Sequence, residues 1–131
     1  MNDGPVIAIV DDDASIRRSL LRVVASAGYK AEAFASARQF LDWLRTGQAA
    51  CLVLDVQMDG MSGFDLQERL AVPVIFITSH DDATTRARIQ KSGAAAHLTK
   101  PFDGQTALDA IRRAVGGNHD TAQSIPPSKE M

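Results

Sequence analysis

Along this chain, short apolar runs alternate with stretches of helical periodicity, and that alternation limits the fold more than any other feature. Residues 5–10 read PVIAIV, 51–56 read CLVLDV and 72–78 read VPVIFIT. Short runs without polar alternation suit strands buried on both faces. Between them lie Ile16, Leu20, Val23 and Ala27 at helical spacing, closed by Gly28, with Asp13 placed to begin that helix. Phe40, Leu41 and Leu44 mark a second helix after Ser36, and Phe64, Leu66 and Leu70 a short third. Residues 84–91, closed by Gly93, and the series Ala107, Leu108, Ile111, Val115 mark two more. The alanine-rich residues 30–34 have weak strand propensity and are assigned as a strand mostly by position, while residues 94–98 read as a small-residue strand ending at Thr99, Lys100 and Pro101. Strand then helix, five times, predicts an α/β fold: a parallel sheet covered on both faces, with right-handed crossovers.

In such a sheet ligands bind beyond the carboxyl ends of the strands, so the residues found there matter most. Asp11 and Asp12 follow the first run, Asp55 ends the third, Thr78 the fourth and Lys100 follows the fifth. Carboxylates on neighbouring strand ends repel one another, a cost that a hard cation offsets. Mg2+ is the expected ion, with Asp12 and Asp55 as direct ligands, Asp11 acting from behind them or through water, and the Gln57 carbonyl as a further donor. Attack of a carboxylate on phosphorus forms an acyl phosphate, whose equatorial oxygens need stabilising. The ammonium of Lys100, the hydroxyl of Thr78 and the backbone N–H groups of Met58 and Ser79 fill those roles. Taken singly, each residue also has a plain reading: aspartates after strands cap helices, Thr78 can bond to backbone and Lys100 can be a solvated loop lysine. Their joint placement at four strand ends favours chemistry.

The remaining composition narrows the class. At 131 residues, 45% hydrophobic and 23% charged, the chain has the size and balance of one globular domain. A formal charge of -2 does not supply the phosphate neutralisation that direct nucleic-acid binding demands. Cys51, the sole cysteine, excludes an internal disulfide and reads as core packing rather than redox chemistry. No apolar run approaches the ~20 residues of a membrane helix, and a cytoplasmic location is expected. Residues 1–115 are read as the domain. Residues 116–131, GGNHDTAQSIPPSKEM, lack periodicity and are expected to form a flexible tail or the start of a linker.

Four segments carry a resemblance: VDDD at 10–13, LDVQMDGMSG at 54–63, ITSH at 77–80 and LTKPF at 98–102. They resemble the signatures of response-regulator receiver domains of two-component systems. GYKAEAFASARQFL at 28–41, together with VPVIFIT, resembles the FixJ-like branch in particular. The resemblance covers Val6 to about Val115 and implies a flavodoxin-like (βα)5 three-layer sandwich with sheet order 2-1-3-4-5. Helices one and five would share one face, and two, three and four the other. It also implies that Asp55 is phosphorylated by a sensor histidine kinase, that Asp11 and Asp12 form the acidic pair for Mg2+, that Thr78 is the switch hydroxyl and that Lys100 binds phosphate. Such a domain catalyses its own phosphorylation and slow autodephosphorylation. Its expected outputs are a homodimer through the helix 4/strand 5 surface or a C-terminal DNA-binding domain acting in transcription regulation.

Three departures from the family pattern stand out. Asp59 replaces the usual proline after the phosphoaspartate, with weaker phosphate affinity or an altered autophosphatase rate as the expected effect. The connection from Leu70 to Val72 is short, so either helix three is expected to be truncated or that face of the sheet to be less well covered. His97 occupies the position of the usual switch aromatic; it reads either as a weakened or pH-sensitive coupling residue or as a half-exposed ring on the sheet edge. Two rival functions remain: a receiver-fold interaction module that works without phosphorylation, and a small flavodoxin-like or nucleotide-binding domain. The second lacks a glycine-rich phosphate loop after the first strand.

Overall fold

The computed structural model describes residues 6–58, 61–79 and 82–120, with side chains through 116. Strands β1 (Val6–Val10), β2 (Lys30–Phe34), β3 (Cys51–Asp55), β4 (Val74–Thr78) and β5 (Ala96–Thr99) alternate with helices α1 (Ala14–Ser26), α2 (Ala37–Leu44), α3 (Gly63–Gln67), α4 (Ala83–Ser92) and α5 (Gly104–Asp120). All pairings are parallel and the sheet order is β2-β1-β3-β4-β5, as the family resemblance implies.

Side chains alternate across a strand, so each central strand supplies two cores. Ile7, Ile9, Cys51, Val53, Ile75 and Ile77 meet Leu20 and Val24 of α1 and Ala107 and Ile111 of α5. Ala8, Val10, Leu52, Leu54, Val74 and Phe76 meet Phe40 of α2, Phe64 and Leu66 of α3, and Ile89 of α4. Each large aliphatic side chain buried in this way contributes roughly 1.5–3 kcal/mol. The central strands β3 and β4 are buried throughout, whereas β2 and β5 carry exposed positions at the sheet edges. Edge placement accounts for the weak apolar signal of those two strands.

Local chemistry sets the helix ends. The Asp13 carboxylate accepts from the N–H groups of Ser15 at 2.8 Å and Ile16 at 3.4 Å to start α1. Ser36 caps α2 by accepting from Gln39 N at 3.2 Å, while Gln39 Oε1 accepts from Ala35 N at 3.0 Å. Gly93 ends α4 with φ +80°, a backbone state that glycine adopts without penalty.

Two details differ from expectation. Val24, not Val23, is the buried residue of α1's last turn; it stands four residues after Leu20, and residues four apart lie on one helix face, here the face toward the sheet. Helix α5 also runs on through Asp120, past the last apolar residue at Val115. Residues 116–120 carry no apolar side chain, so hydrophobic periodicity could not mark them as helical. The short connection after Leu70 does accompany a brief third helix, five residues long.

Candidate functional site

Four strand ends converge on one cleft. Asp11 follows β1 and still pairs with the sheet, its N–H donating to Phe34 O at 3.2 Å. Its side chain is fully buried, and its Oδ1 accepts from Asp13 N at 2.9 Å. The guanidinium of Arg17, one helical turn into α1, donates to the Asp11 carbonyl at 2.8 Å and braces that corner. Asp55 closes β3 and is 6% exposed; its Oδ1 accepts from Gln57 N at 3.0 Å. Behind it Gly63 packs so closely that a Cβ there would lie 2.6 Å from the Asp55 carbonyl oxygen and 3.0 Å from the Phe76 ring. Lys100 is anchored by its N–H to Thr78 O at 2.8 Å, across the Lys100–Pro101 cis peptide from Pro101. Its ammonium lies 3.3 Å from Asp11 Oδ2 and 3.5 Å from Asp55 Oδ2.

The charge balance of this cleft is negative. One lysine faces Asp11, Asp12 and Asp55, whose oxygens come within 4.8 Å of one another. Burial pushes the Asp55 carboxyl above its ordinary value; the Gln57 N–H and Lys100 oppose the shift, while Asp11 and Asp12 reinforce it. For Lys100, burial works against the charge, yet attraction to Asp55 and Asp11 outweighs it and the net shift is upward. The two upward shifts agree: a single cation answers two carboxylates and does not fully offset either. Asp11 Oδ2 remains buried without a hydrogen bond, since the Lys100 ammonium 3.3 Å away pairs with it by charge rather than by hydrogen-bond geometry. A hard dication suits these features. It takes oxygen donors, is content with one or two carboxylates, and retains waters that the exposed Asp12 side of the cleft can admit. The donor set therefore fits Mg2+, and among the described residues no second acidic or His/Cys grouping of this kind occurs.

Of the residues singled out in the sequence, Asp11, Asp12, Asp55 and Lys100 come together directly, and Gln57 joins them through its N–H. Thr78, 2% exposed, ends the neighbouring strand opposite Thr99. Ser79 follows it on the surface, and Met58 is half-buried against the α2–α3–α4 core. His97 stands apart from the carboxylates, in β5 opposite Phe76, with an exposed side chain. Asp59 lies outside the described residues. Arg17 and Gly63 escaped the sequence reading: a side chain bonding six residues back leaves no pattern, whereas a glycine opening a helix after Ser62 is a visible hint of close packing. Cys51 is fully buried and its thiol is pushed up to about 12 by that burial, consistent with a packing role.

Residues 7–112 match the family model described as response regulator receiver domain. Nodulation protein W of Bradyrhizobium diazoefficiens is 43% identical over 111 residues, covering 81% of this chain and 49% of that protein. The transcriptional regulatory protein FixJ of Azorhizobium caulinodans is 35% identical over 136 residues, covering 100% of this chain and 64% of that protein. A response regulator receiver protein from Burkholderia phymatum, known from its crystal structure, is 42% identical with a TM-score of 0.78, covering 86% of this chain and 95% of that one. The chain thus spans about half to two thirds of the length of these two curated relatives.

Proposed function

The chain belongs to the response regulator receiver domain family, and from that premise we propose that it accepts a phosphoryl group on Asp55 from the phosphohistidine of a sensor kinase. The observation that carries this reading is the buried Asp55 carboxylate at the end of β3, 3.5 Å from the Lys100 ammonium and beside two further aspartates.

In the proposed reaction an Asp55 carboxylate oxygen forms the new O–P bond as the P–N bond to the kinase histidine breaks, and the imidazole leaves with the electron pair. The Gln57 N–H holds the other Asp55 oxygen, which fixes the carboxylate for in-line attack. Lys100 moves from its carboxylate partners to an equatorial phosphoryl oxygen, a motion its flexible stem allows. The Thr78 hydroxyl and the backbone N–H groups of Met58 and Ser79 take the remaining oxygens. Asp12, Asp55 and the Gln57 carbonyl would hold Mg2+, with Asp11 behind them or acting through water; the ion would supply charge neutralisation between the acidic cluster and the incoming group. Hydrolysis of the acyl phosphate resets the domain slowly.

Signalling would follow from a shift in population among arrangements of Thr78, α4 and β5. The exposed surface of α4 and β5, including His97, is the proposed route to a homodimer or an output domain. Transcription regulation is the proposed output, a sensor histidine kinase the partner, the cytoplasm the proposed location of the chain, and residues 1–115 the phosphoacceptor unit.

Intact mass after incubation with acetyl phosphate tests the reading. One added phosphate, dependent on Mg2+ and absent from Asp55→Asn, is the expected result. No adduct under conditions that modify a control receiver would overturn it in favour of a phosphorylation-independent interaction module.

A further inference from the structure

Helix α4 is seated unusually lightly. Of its ten residues only Ile89 is buried, and the exposed remainder includes Arg86, Arg88 and Lys91 with no acidic residue. A helix with so little apolar surface against the sheet depends on a few specific contacts for its position. Its C-terminal end has one from α3, whose Gln67 Nε2 donates to Ser92 O at 3.1 Å. Farther up the helix Arg88 reaches across to α3, its guanidinium carbon 4.2 Å from the centre of the Phe64 ring. That ring in turn lies 4.8 Å from the ring of Phe76 in β4, two residues before Thr78.

Two cavities meet at this contact. One, of about 320 Å³, opens beside Val56 and Met58, next to Asp55. The other, of about 560 Å³, lies between α3 and α4 over Leu70 and Val72, where the short α3–β4 connection leaves the sheet thinly covered. Phe64 and Arg88 line both, so the stacked pair forms the wall between them.

We propose that the Arg88–Phe64 stack is a latch for α4: closed, it holds the helix against α3 and divides the cleft; open, it frees the helix and joins the cavities into one trough. The geometry favours this role for Arg88 over that of an ordinary surface arginine for two reasons. Its partner ring is itself buried and fixed by Phe76, so the latch closes on a rigid seat. The helix it holds buries a single side chain, Ile89, among its ten residues. The latch is a property of the unphosphorylated fold and does not depend on Asp55 accepting phosphate.

Hydrogen exchange of α4 amides, followed alongside thermal unfolding, tests it. In Arg88→Gln the amides of α4 are expected to exchange about two- to fivefold faster, as loss of an exposed cation–π contact implies, while those of β3 and β4 stay unchanged. Arg88→Lys, which keeps a cation over the ring, restores most of the protection. Phe64→Leu removes the ring, and adding Arg88→Gln to it then has no further effect on α4. Unchanged α4 exchange in Arg88→Gln, or effects of the two substitutions that simply multiply, would overturn the latch.

Discussion

Asp11, Asp55 and Lys100 hold one another in a balance in which acid outweighs base, so removing the base has a definite sign. In Lys100→Met two buried carboxylates lose their cation; because the lysine side chain is 22% exposed, the expected destabilisation is about 1–2 kcal/mol rather than the larger cost of a fully buried pair. Urea unfolding without Mg2+ measures it, and a variant as stable as the parent would mean that the ion pairs contribute nothing. Asp103 shows the opposite electrostatic sign. Its Oδ1 accepts from Thr106 N at 2.7 Å at the start of α5, and that bond lowers the carboxyl below its ordinary 3.8. A lowered folded-state value places the contribution above the unfolded value, to be lost as pH falls through the folded one. The gap in melting temperature between the parent and Asp103→Ala should therefore be open at pH 6 and narrow at pH values below 3.8; a constant gap would assign the effect to something other than the charge. The acidic residues and Lys100 were legible in the sequence because each directly follows or ends an apolar run. Arg17 was not, since its bond to the Asp11 carbonyl depends on how α1 packs back over β1.

At the scale of elements, the turn from β3 into α3 decides how firmly Asp55 is held. Gly63 N donates to Val56 O at 2.9 Å, and the absence of a side chain at Gly63 lets that turn press against the Asp55 carbonyl. Gly63→Ala forces a Cβ to within 2.6 Å of backbone oxygen. We expect a loss of about 1–3 kcal/mol, and slower phosphoryl uptake than the stability loss alone explains. Uptake from acetyl phosphate at a temperature where both proteins are fully folded separates the two effects, and equal rates would show that Asp55 tolerates the displacement. The brevity of α3 was readable from the few residues between Phe64 and Val72. A thinner cover on that face of the sheet was readable too; the groove between α3 and α4, walled by Phe64 and Arg88, was not, because it depends on how the two helices lie against each other.

For the molecule as a whole, the proposed Mg2+ binding would be linked to folding through the acidic cleft. A ligand that binds only the folded state raises its stability with concentration, so the melting temperature should climb by several degrees between micromolar and ten-millimolar Mg2+. Asp12→Ala should abolish most of that climb, and an equal response in parent and variant would remove Asp12 from the binding set. Among the described residues no helix is long and apolar enough to cross a membrane, in keeping with the short apolar runs. The five strand–helix units, the acidic and lysine positions at their ends, and the caps at Asp13, Ser36 and Gly93 follow from the order of residues alone, because these are properties of neighbours along the chain. The inward position of Val24, the reach of α5 to Asp120, the brace from Arg17 and the Arg88–Phe64 stack were decided only by tertiary structure. Each arises from the angle and distance at which separate elements pack, and local patterns carry no record of those.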